Sequence, residues 1–268
     1  MDLLLPNLVE IKLVYCGRCD QLPPLGKLRF LKVLFISGMC AVKRMDSGFY
    51  GDMESCFPSL EVLQIEGAGC LEEWTTMNGG EHFPLLRSLS IRGCCPKLVK
   101  LPMLQSLKEL FVENANVTLL NSLMMNATNL TSLQLSQYVN GLQGLSSLSS
   151  LSVEFCGKLT SLLESVRSLT ALQMLSIDGC PHLERRCKKE RGEDWPIIAH
   201  IHSIRITSRN PPSFRHMQCL THSSMSVINE MRICFVNTFS GMVIGHAVSQ
   251  ESKIGSVHGP DDRQIMLN

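Results

Sequence analysis

The chain has 268 residues, of which 44% are hydrophobic and 18% are charged, and its formal net charge is +1. This composition is typical of a folded protein and excludes a disordered one. The near-zero net charge gives no electrostatic reason to expect nucleic acid or an anionic membrane as a partner. About one residue in seven is leucine, whereas aromatic residues make up only 6%, a balance that suits thin stacked layers of small apolar side chains.

The sequence has neither the pattern of an export signal nor that of a membrane span. MDLLLPNLVE (1–10) lacks a basic start, and Pro6 interrupts its leucines. No segment reaches about 18 uninterrupted apolar residues. We therefore expect a cytoplasmic protein without membrane contact, whose 12 cysteines are reduced thiols rather than a disulfide framework.

Nine short segments share one spacing of apolar residues, L-x-x-L-x-L-x-x-C/N/A. The copies are LVEIKLVYC (8–16), LKVLFISGM (31–39), LEVLQIEGA (60–68), LRSLSIRGC (86–94), LKELFVENA (107–115), LTSLQLSQY (130–138), LSSLSVEFC (148–156), LQMLSIDGC (172–180) and the more divergent IHSIRITSR (201–209). Their central residues are 18 to 29 positions apart, close to the period of leucine-rich repeats, roughly 20–29 residues.

The change of spacing within each copy predicts a strand between two turns. The L-x-L pair has period two because both residues point inward from a short strand, and the flanking gaps of three come from the turns. The predicted fold is an α/β-type repeat, a leucine-rich-repeat solenoid. Its curved parallel sheet forms the concave face, and its back is mostly irregular, 3₁₀ or short-helical. Short helices are expected at most around 118–126 and 161–167.

The last template position favours a small buried residue, because the chain turns inward just after the strand. A buried free cysteine behaves as a small hydrophobe. The residues at this position include Cys16, Cys94, Cys156, Cys180, Ala68 and Ala115.

The repeats predict one domain over residues 1–207, N-terminally uncapped because the sequence begins inside the first copy. Beyond it the template is lost, and residues 208–268 are expected to form an irregular tail. The mixed-charge run ERRCKKERGEDW (184–195) predicts a solvated edge rather than a nucleic-acid site. The following WPII, starting at Trp195, predicts a cap over the last apolar layer.

The order of the longer motifs is more specific than the repeat. LPPLGKLRFLKVLFISGMCAVKRMDSGFYG (22–51) is followed by FPSLEVL (57–63), CLEEW (70–74) and HFPLLRSLSIRGCCPKLVKLP (82–102). These blocks closely resemble the leucine-rich-repeat region of plant nucleotide-binding, leucine-rich-repeat disease-resistance proteins of the coiled-coil type. CPHLERRCKKERGEDWPIIAHIHSIRI (180–206) is similar to the block that ends such domains.

The resemblance implies a protein-recognition module of plant innate immunity. In that family the repeats bind protein ligands and hold a nucleotide-binding switch off, so the expected partner is a pathogen effector, a guarded host protein or the switch domain. The phosphate-binding motif G-x-x-x-x-G-K-[ST] does not occur in the sequence. We therefore expect no cofactor and a truncated relative that lacks the switch.

Side chains that alternate with the inward leucines point onto the concave face and are the candidate partner-binding residues. Phe35 with Val33 and Val62 predicts an apolar spot, and Phe111 lies between two glutamates. A ring on this face needs cover, either from a partner or from neighbouring strands, and both explanations are open. The candidates are Lys12, Val33, Phe35, Gln64, Glu66, Arg92, Glu109, Phe111, Glu113, Gln134, Glu154 and Asp178.

No catalytic or metal site is predicted. CGRC (16–19) has the spacing of redox and zinc motifs, but no second C-x-x-C completes a tetrahedral site, and the motif follows a strand instead of opening a helix. The 8 histidines belong to no recognisable nucleophile–base motif. The alternatives are a leucine-rich-repeat adaptor or ubiquitin-ligase substrate-recognition subunit and, less favoured, a C-x-x-C thiol-redox enzyme.

Overall fold

Among the described residues, the secondary structure consists of short strands that are separated by turns and by four helices. The computed structural model describes residues 7–14, 19–51, 56–75, 82–93, 97–114, 117–136, 145–161, 166–167, 169–209, 231–239 and 242–250. The strands are β1 Glu10–Val14, β2 Val33–Ser37, β3 Arg44–Met45, β4 Val62–Glu66, β5 Glu73–Trp74, β6 Ser88–Arg92, β7 Glu109–Glu113, β8 Ser132–Ser136, β9 Ser150–Glu154, β10 Met174–Asp178, β11 Ser203–Thr207, β12 Met231–Phe239 and β13 Met242–Gln250. The helices are α1 Ser47–Tyr50, α2 Val117–Asn126, α3 Pro181–Arg186 and α4 Trp195–Ile198.

One sheet contains the strands of all nine template copies. Its order is β11-β10-β9-β8-β7-β6-β4-β2-β1-β12-β13, and every pairing from β1 to β11 is parallel. Each strand pairs with that of the next copy, so Leu63 lies opposite both Leu34 and Leu89. This confirms the predicted leucine-rich-repeat solenoid.

The inward residues form two continuous columns in the core. In β1 to β10 each is at most 2% exposed, whereas the β11 members at the end of the repeat are partly buried. The first column is Ile11, Leu34, Leu63, Leu89, Leu110, Leu133, Leu151, Leu175 and Ile204, and the second is Leu13, Ile36, Ile65, Ile91, Val112, Leu135, Val153, Ile177 and Ile206. Neighbouring coils therefore share one apolar interior.

The gaps of three between leucines arise from tight turns before the strands. The Leu107 amide donates to the Leu104 carbonyl at 3.1 Å, and Leu172 makes the same bond to Leu169 at 3.0 Å. A bond between residues three apart closes a single tight turn. Both leucines of each pair are buried, so the turn explains why the spacing differs from that of the strand.

The residue after a strand turns the chain with a positive φ. Gly38, Gly67, Gly93 and Gly179 adopt this conformation, as do Asn114 and Phe155. The Gly67 amide then donates to the Arg92 carbonyl of the next coil at 3.0 Å. At Gly179 a Cβ would also lie 2.6 Å from the Phe155 ring, so this position requires glycine for space as well as for φ.

The back of the first coils contains an aromatic group that we call the back cluster: Phe49, Tyr50, Phe57, Trp74, His82 and Phe83. The Trp74 indole N–H donates to the Tyr50 hydroxyl at 2.8 Å, and the Tyr50 and His82 rings stack at 4.8 Å. The Phe57 and Phe83 rings stack at 5.1 Å.

On the back of the same coils, β3 and β5 form a separate two-stranded parallel sheet. Gly26 packs so closely that a Cβ there would lie 2.1 Å from the Tyr50 carbonyl oxygen.

The helices agree with the sequence expectations where they can be compared. Helix α2 spans the segment expected around 118–126, but most of the segment around 161–167 lies outside the described residues. Helix α4 lies in the segment predicted to form the cap, and its Ile197 and Ile198 are buried in the core. Within the described part of the chain, no helix has the length and hydrophobicity to cross a membrane.

The C-terminal segment differs from the expected irregular tail. Strand β12 pairs with β1 in antiparallel register, placing Val236 opposite Glu10, and β13 pairs with β12. Both strands are rich in β-branched residues, which favour extended backbone. The first repeat strand therefore has a neighbour on each side, in contrast to the predicted uncapped first coil. Residues 210–230 and 251–268 lie outside the described chain.

Candidate partner-binding face

The twelve candidate residues all lie at outward positions of β1 to β10. We call this side of the sheet the concave face. Lys12, Gln64, Arg92 and Glu109 are exposed, whereas Asp178 is only 6% exposed. The remainder are partly buried: Val33, Phe35, Glu66, Phe111, Glu113, Gln134 and Glu154. The alternation of side chains along each strand thus correctly predicted which residues point outward. The twelve side chains form three regions of the concave face.

The first region is the apolar spot near the first repeats. Val33 lies opposite Val62 across β2 and β4, and Phe35 has Lys12 and Gln64 as its cross-strand neighbours. All three apolar side chains are partly buried. Strand packing therefore covers only part of this apolar surface, and the rest faces solvent.

The spot borders polar side chains that are available for external contacts. In the part of the chain that the structure describes, the side chains of Gln64, Glu66 and Glu109 form no hydrogen bond or ion pair. Lys12 is engaged with Glu10, at 2.9 Å from Nζ to Oε1. An exposed ion pair of this kind contributes little to stability and is easily exchanged for another partner.

The second region is the central junction, formed by Arg92, Phe111 and Glu113. The Arg92 guanidinium carbon lies 4.7 Å from the centre of the Phe111 ring, a cation–π geometry. The ladder between β6 and β7 ends at Ile91 and Val112. Beyond it the Gly93 amide donates to Glu113 Oε2 at 2.8 Å instead of to a main-chain carbonyl. Phe111 is therefore covered from within the sheet, which supports the packing explanation for this ring.

The third region contains carboxylates that are already engaged with their neighbours. Glu154 accepts from Gln134 Nε2 at 2.7 Å, and Asp178 accepts from Thr207 Oγ1 at 2.8 Å. Arg209 Nε also lies 3.1 Å from Asp178 Oδ2. These contacts hold the side chains against the sheet. The template gave no signal for Arg209, which follows the last strand.

The mixed-charge run before the last strand is exposed over residues 188–191, as expected for a solvated edge, but it is packed at Arg186 and Asp194. Arg186 forms a two-point contact with Asp194, at 3.0 Å from Nε to Oδ2 and 2.6 Å from Nη2 to Oδ1, and Asp194 is only 2% exposed. This expectation was wrong for these two residues because the run folds back between α3 and α4. A Cβ at Gly192 would lie 1.9 Å from the Arg186 carbonyl oxygen. The absence of a side chain at this position therefore lets the chain fold back closely onto the end of α3.

The structure leaves the C-x-x-C motif largely undescribed. Cys16 lies outside the described residues, and Cys19 is partly buried against the core. Among the described residues, no group of three or more His, Cys, Asp or Glu side chains could hold a metal ion.

Comparisons with known proteins agree with this architecture. Residues 30–181, more than half of the chain, match the family described as plant disease resistance protein RPS2-like, leucine-rich repeats. The chain is 29% identical over 262 residues to putative disease resistance protein RGA4 of Solanum bulbocastanum, covering 75% of this chain and 26% of that protein. It is 38% identical over 117 residues to disease resistance protein RPP8 of Arabidopsis thaliana, covering 40% of this chain and 12% of that one.

The similarity is confined to a part of each relative. The chain spans about a quarter of the length of the Solanum bulbocastanum protein. No solved structure matches the chain. The family match covers β2 to β10, the strands that carry most of the concave face. The chain therefore belongs to the RPS2-like leucine-rich-repeat family of plant disease resistance proteins.

Proposed function

We propose that this chain is a cytoplasmic protein-recognition module of plant immunity, which acts by binding and not by catalysis. Two findings support the proposal: membership of a family of disease resistance proteins, and a nine-strand concave face with partly exposed apolar side chains. Leucine-rich repeats form extended concave surfaces that suit protein ligands. The partner is then a protein such as a pathogen effector, a guarded host protein or the nucleotide-binding domain of a resistance protein.

The apolar spot and its polar border are the centre of the proposed contact. The observation that carries this choice is the contrast between Phe35 and Phe111. Both rings are partly exposed, but Phe111 lies under the Arg92 guanidinium, whereas Phe35 has beside it Gln64, whose side-chain amide is not engaged within the described chain. Partly exposed aromatic anchors surrounded by polar side chains are typical of binding hot spots.

The experiment compares Phe35→Ala with Phe111→Ala in the full chain. The probe is a separately expressed nucleotide-binding domain of a related full-length resistance protein, and affinity is measured by calorimetry. We expect Phe35→Ala to weaken binding at least about tenfold, as hot-spot truncations do, without lowering the melting temperature. Phe111→Ala is the matched control, since its ring is already covered and its loss should affect binding less.

Two outcomes would contradict the proposal. A lower melting temperature with unchanged affinity for Phe35→Ala would assign Phe35 to packing. No association of the wild-type chain with the nucleotide-binding domain would exclude autoinhibition through this contact. A second candidate, the substrate-recognition subunit of a ubiquitin ligase, would use the same face for a different protein, so binding to a ligase scaffold would favour it.

A further inference from the structure

Two cysteines occupy equivalent positions in neighbouring coils near the end of the repeat. Glu154 and Asp178 lie opposite each other in the ladder of β9 and β10, and the cysteines follow two residues later in each coil. Cys156 Sγ lies 3.3 Å from the Glu154 carbonyl oxygen, and Cys180 Sγ lies 3.4 Å from that of Asp178. The two thiols therefore point in the same way from adjacent turns.

The two residues are also in direct contact with each other. The Cys156 amide donates to Cys180 Sγ at 3.2 Å, and Cys180 Sγ lies 3.6 Å from the Val153 carbonyl oxygen of the preceding coil. Adjacent strands of a sheet are about 4.8 Å apart. The Cα separation that a disulfide requires is about 4.4–6.8 Å, so residues at matching positions of neighbouring coils meet this condition.

We propose that Cys156 and Cys180 are the site of a reversible, peroxide-dependent disulfide that joins the coil of β9 to the coil of β10. This inference rests on the two sulfur positions and is independent of the function proposed above. Cytosolic disulfides in organisms of moderate temperature are usually transient and redox-sensing, so a reversible link is the form expected here.

The surroundings distinguish which sulfur reacts first. Hydrogen bonds from the thiol and the amide of Cys156 lower the pKa of the Cys180 thiol, although burial opposes them. The nearby Cys187 differs, because burial and the charge of Asp194 raise its pKa to about 12. The thiolate is the reactive form of cysteine. Cys180 is thus the attacking residue, and Cys187 is a poor competitor.

The reaction is balanced by one peroxide molecule. The Cys180 thiolate attacks one oxygen of hydrogen peroxide, the O–O bond breaks, and the products are a sulfenic acid and hydroxide. The Cys156 sulfur then attacks the sulfenic sulfur, forming the S–S bond and releasing the second oxygen as water. The two thiols lose two electrons, the peroxide gains them, and a small thiol reductant reverses the step.

The turn beside Cys156 offers a way for the small oxidant to enter. Both sulfurs belong to residues that are at most 1% exposed, so reaction requires the turn to open. Phe155, which immediately precedes Cys156, has φ 51°, a conformation that is strained for a bulky side chain. The partly buried Phe155 ring packs against Gly179, next to Cys180. Opening of this one turn would expose both sulfurs.

The test treats the reduced full chain with graded hydrogen peroxide, blocks free thiols and maps linked peptides by mass spectrometry without reduction. The Cys156–Cys180 peptide should be the first intramolecular link to form, and dithiothreitol should remove it. Oxidised protein should melt at a higher temperature than reduced protein, because the link constrains the unfolded chain. Cys180→Ala should abolish the link and the shift, whereas the matched variant Cys187→Ala should retain both.

The mapping of the wild-type chain decides the outcome even if a variant fails to fold. The exposed Cys40 thiol serves as the internal reference with which the peroxide sensitivity of Cys180 is compared. The proposal is overturned if Cys180 links to Cys187 instead. It is equally overturned if no Cys156–Cys180 link appears at peroxide concentrations that fully oxidise Cys40.

Discussion

The back cluster and the concave face use aromatic side chains differently. On the back, Tyr50, Phe57, Trp74 and Phe83 are at most 1% exposed and contact one another at ring distances of 5.1 to 6.2 Å. On the concave face, Phe35 is partly exposed in the apolar spot. The back cluster stabilises the coils, whereas Phe35 belongs to the surface that we propose for a partner.

The difference shows which part of the family resemblance concerns structure. The motifs that identify the family place their glycine and aromatic residues in the back: Gly26 comes from LPPLG, Tyr50 from GFYG, Trp74 from LEEW and Phe83 from HFP. The outward residues between them belong to the variable positions of the template. Family membership therefore predicts how the coils pack, whereas it does not specify the partner.

The largest expected effect is that of Trp74→Ala. The substitution removes a ring that packs edge-on against Phe83 at 5.9 Å and donates to Tyr50. The free energy of unfolding should fall by about 3–5 kcal/mol, measured by urea denaturation. Trp74→Phe keeps most of the ring and should cost clearly less. A loss below about 1 kcal/mol for Trp74→Ala would mean that the back cluster is not a packed core.

Gly26→Ala tests the close approach of two back segments. Its Cβ would lie 2.1 Å from the Tyr50 carbonyl oxygen, so the backbone must shift. A destabilisation of about 1–3 kcal/mol is expected, as for other overpacked sites. Gly157→Ala is the matched control because no heavy atom lies within 4 Å of its Cβ. Equal melting temperatures for the two variants would contradict the tight contact.

Alkaline pH should destabilise the protein through the back cluster and the neighbouring Cys56. Burial raises the pKa of the Tyr50 phenol and that of the Cys56 thiol above their usual values of 10.0 and 9.0. Both groups ionise more readily once the chain unfolds, so their contribution is complete below about pH 9 and is lost as pH rises. For Tyr50 the loss should be on the order of 1 kcal/mol by pH 11.

The measurement is the urea midpoint of the wild type and of Tyr50→Phe at several pH values from 8 to 11. The variant loses the acceptor for Trp74 and starts from a lower stability. Its midpoint should nevertheless fall less steeply with pH, since the phenol is gone. If the urea midpoints of the two proteins fell equally with pH, the pKa of Tyr50 would be the same in the folded and the unfolded chain.

The smallest expected effect is that of Arg92→Ala at the central junction. Removal of the guanidinium from the Phe111 ring should cost about 0.5–1 kcal/mol, the range for an exposed cation–π contact. Arg205→Ala, at an exposed outward position of β11, serves as the control and should be near neutral. A double-mutant cycle with Phe111→Ala should give a coupling of similar size, and zero coupling would mean that the two side chains do not interact.

The sequence alone predicted features that depend on spacing. Leu63 and Leu89 could be assigned to one column because alternation fixes which side chains face inward. The burial of Ile198 was predicted from the apolar run that begins at Trp195. In contrast, the stacking of Arg92 on Phe111 depends on a contact between two coils, and the burial of Asp194 depends on the return of the chain onto Arg186 between α3 and α4. No local pattern encodes either contact. The strands at 231–250 were missed because they belong to no repeat and pair with a distant strand.

The varied length of the coils has a consequence for how such a protein can change. Leu34 and Leu63 are separated by 29 positions and Leu133 and Leu151 by 18, yet each pair lies directly opposite in the sheet. Extra residues are absorbed by turns, helices and small sheets behind the strands. Insertions there leave the spacing of the front side chains intact, so new specificities can arise by point substitution on a frame whose dimensions do not change.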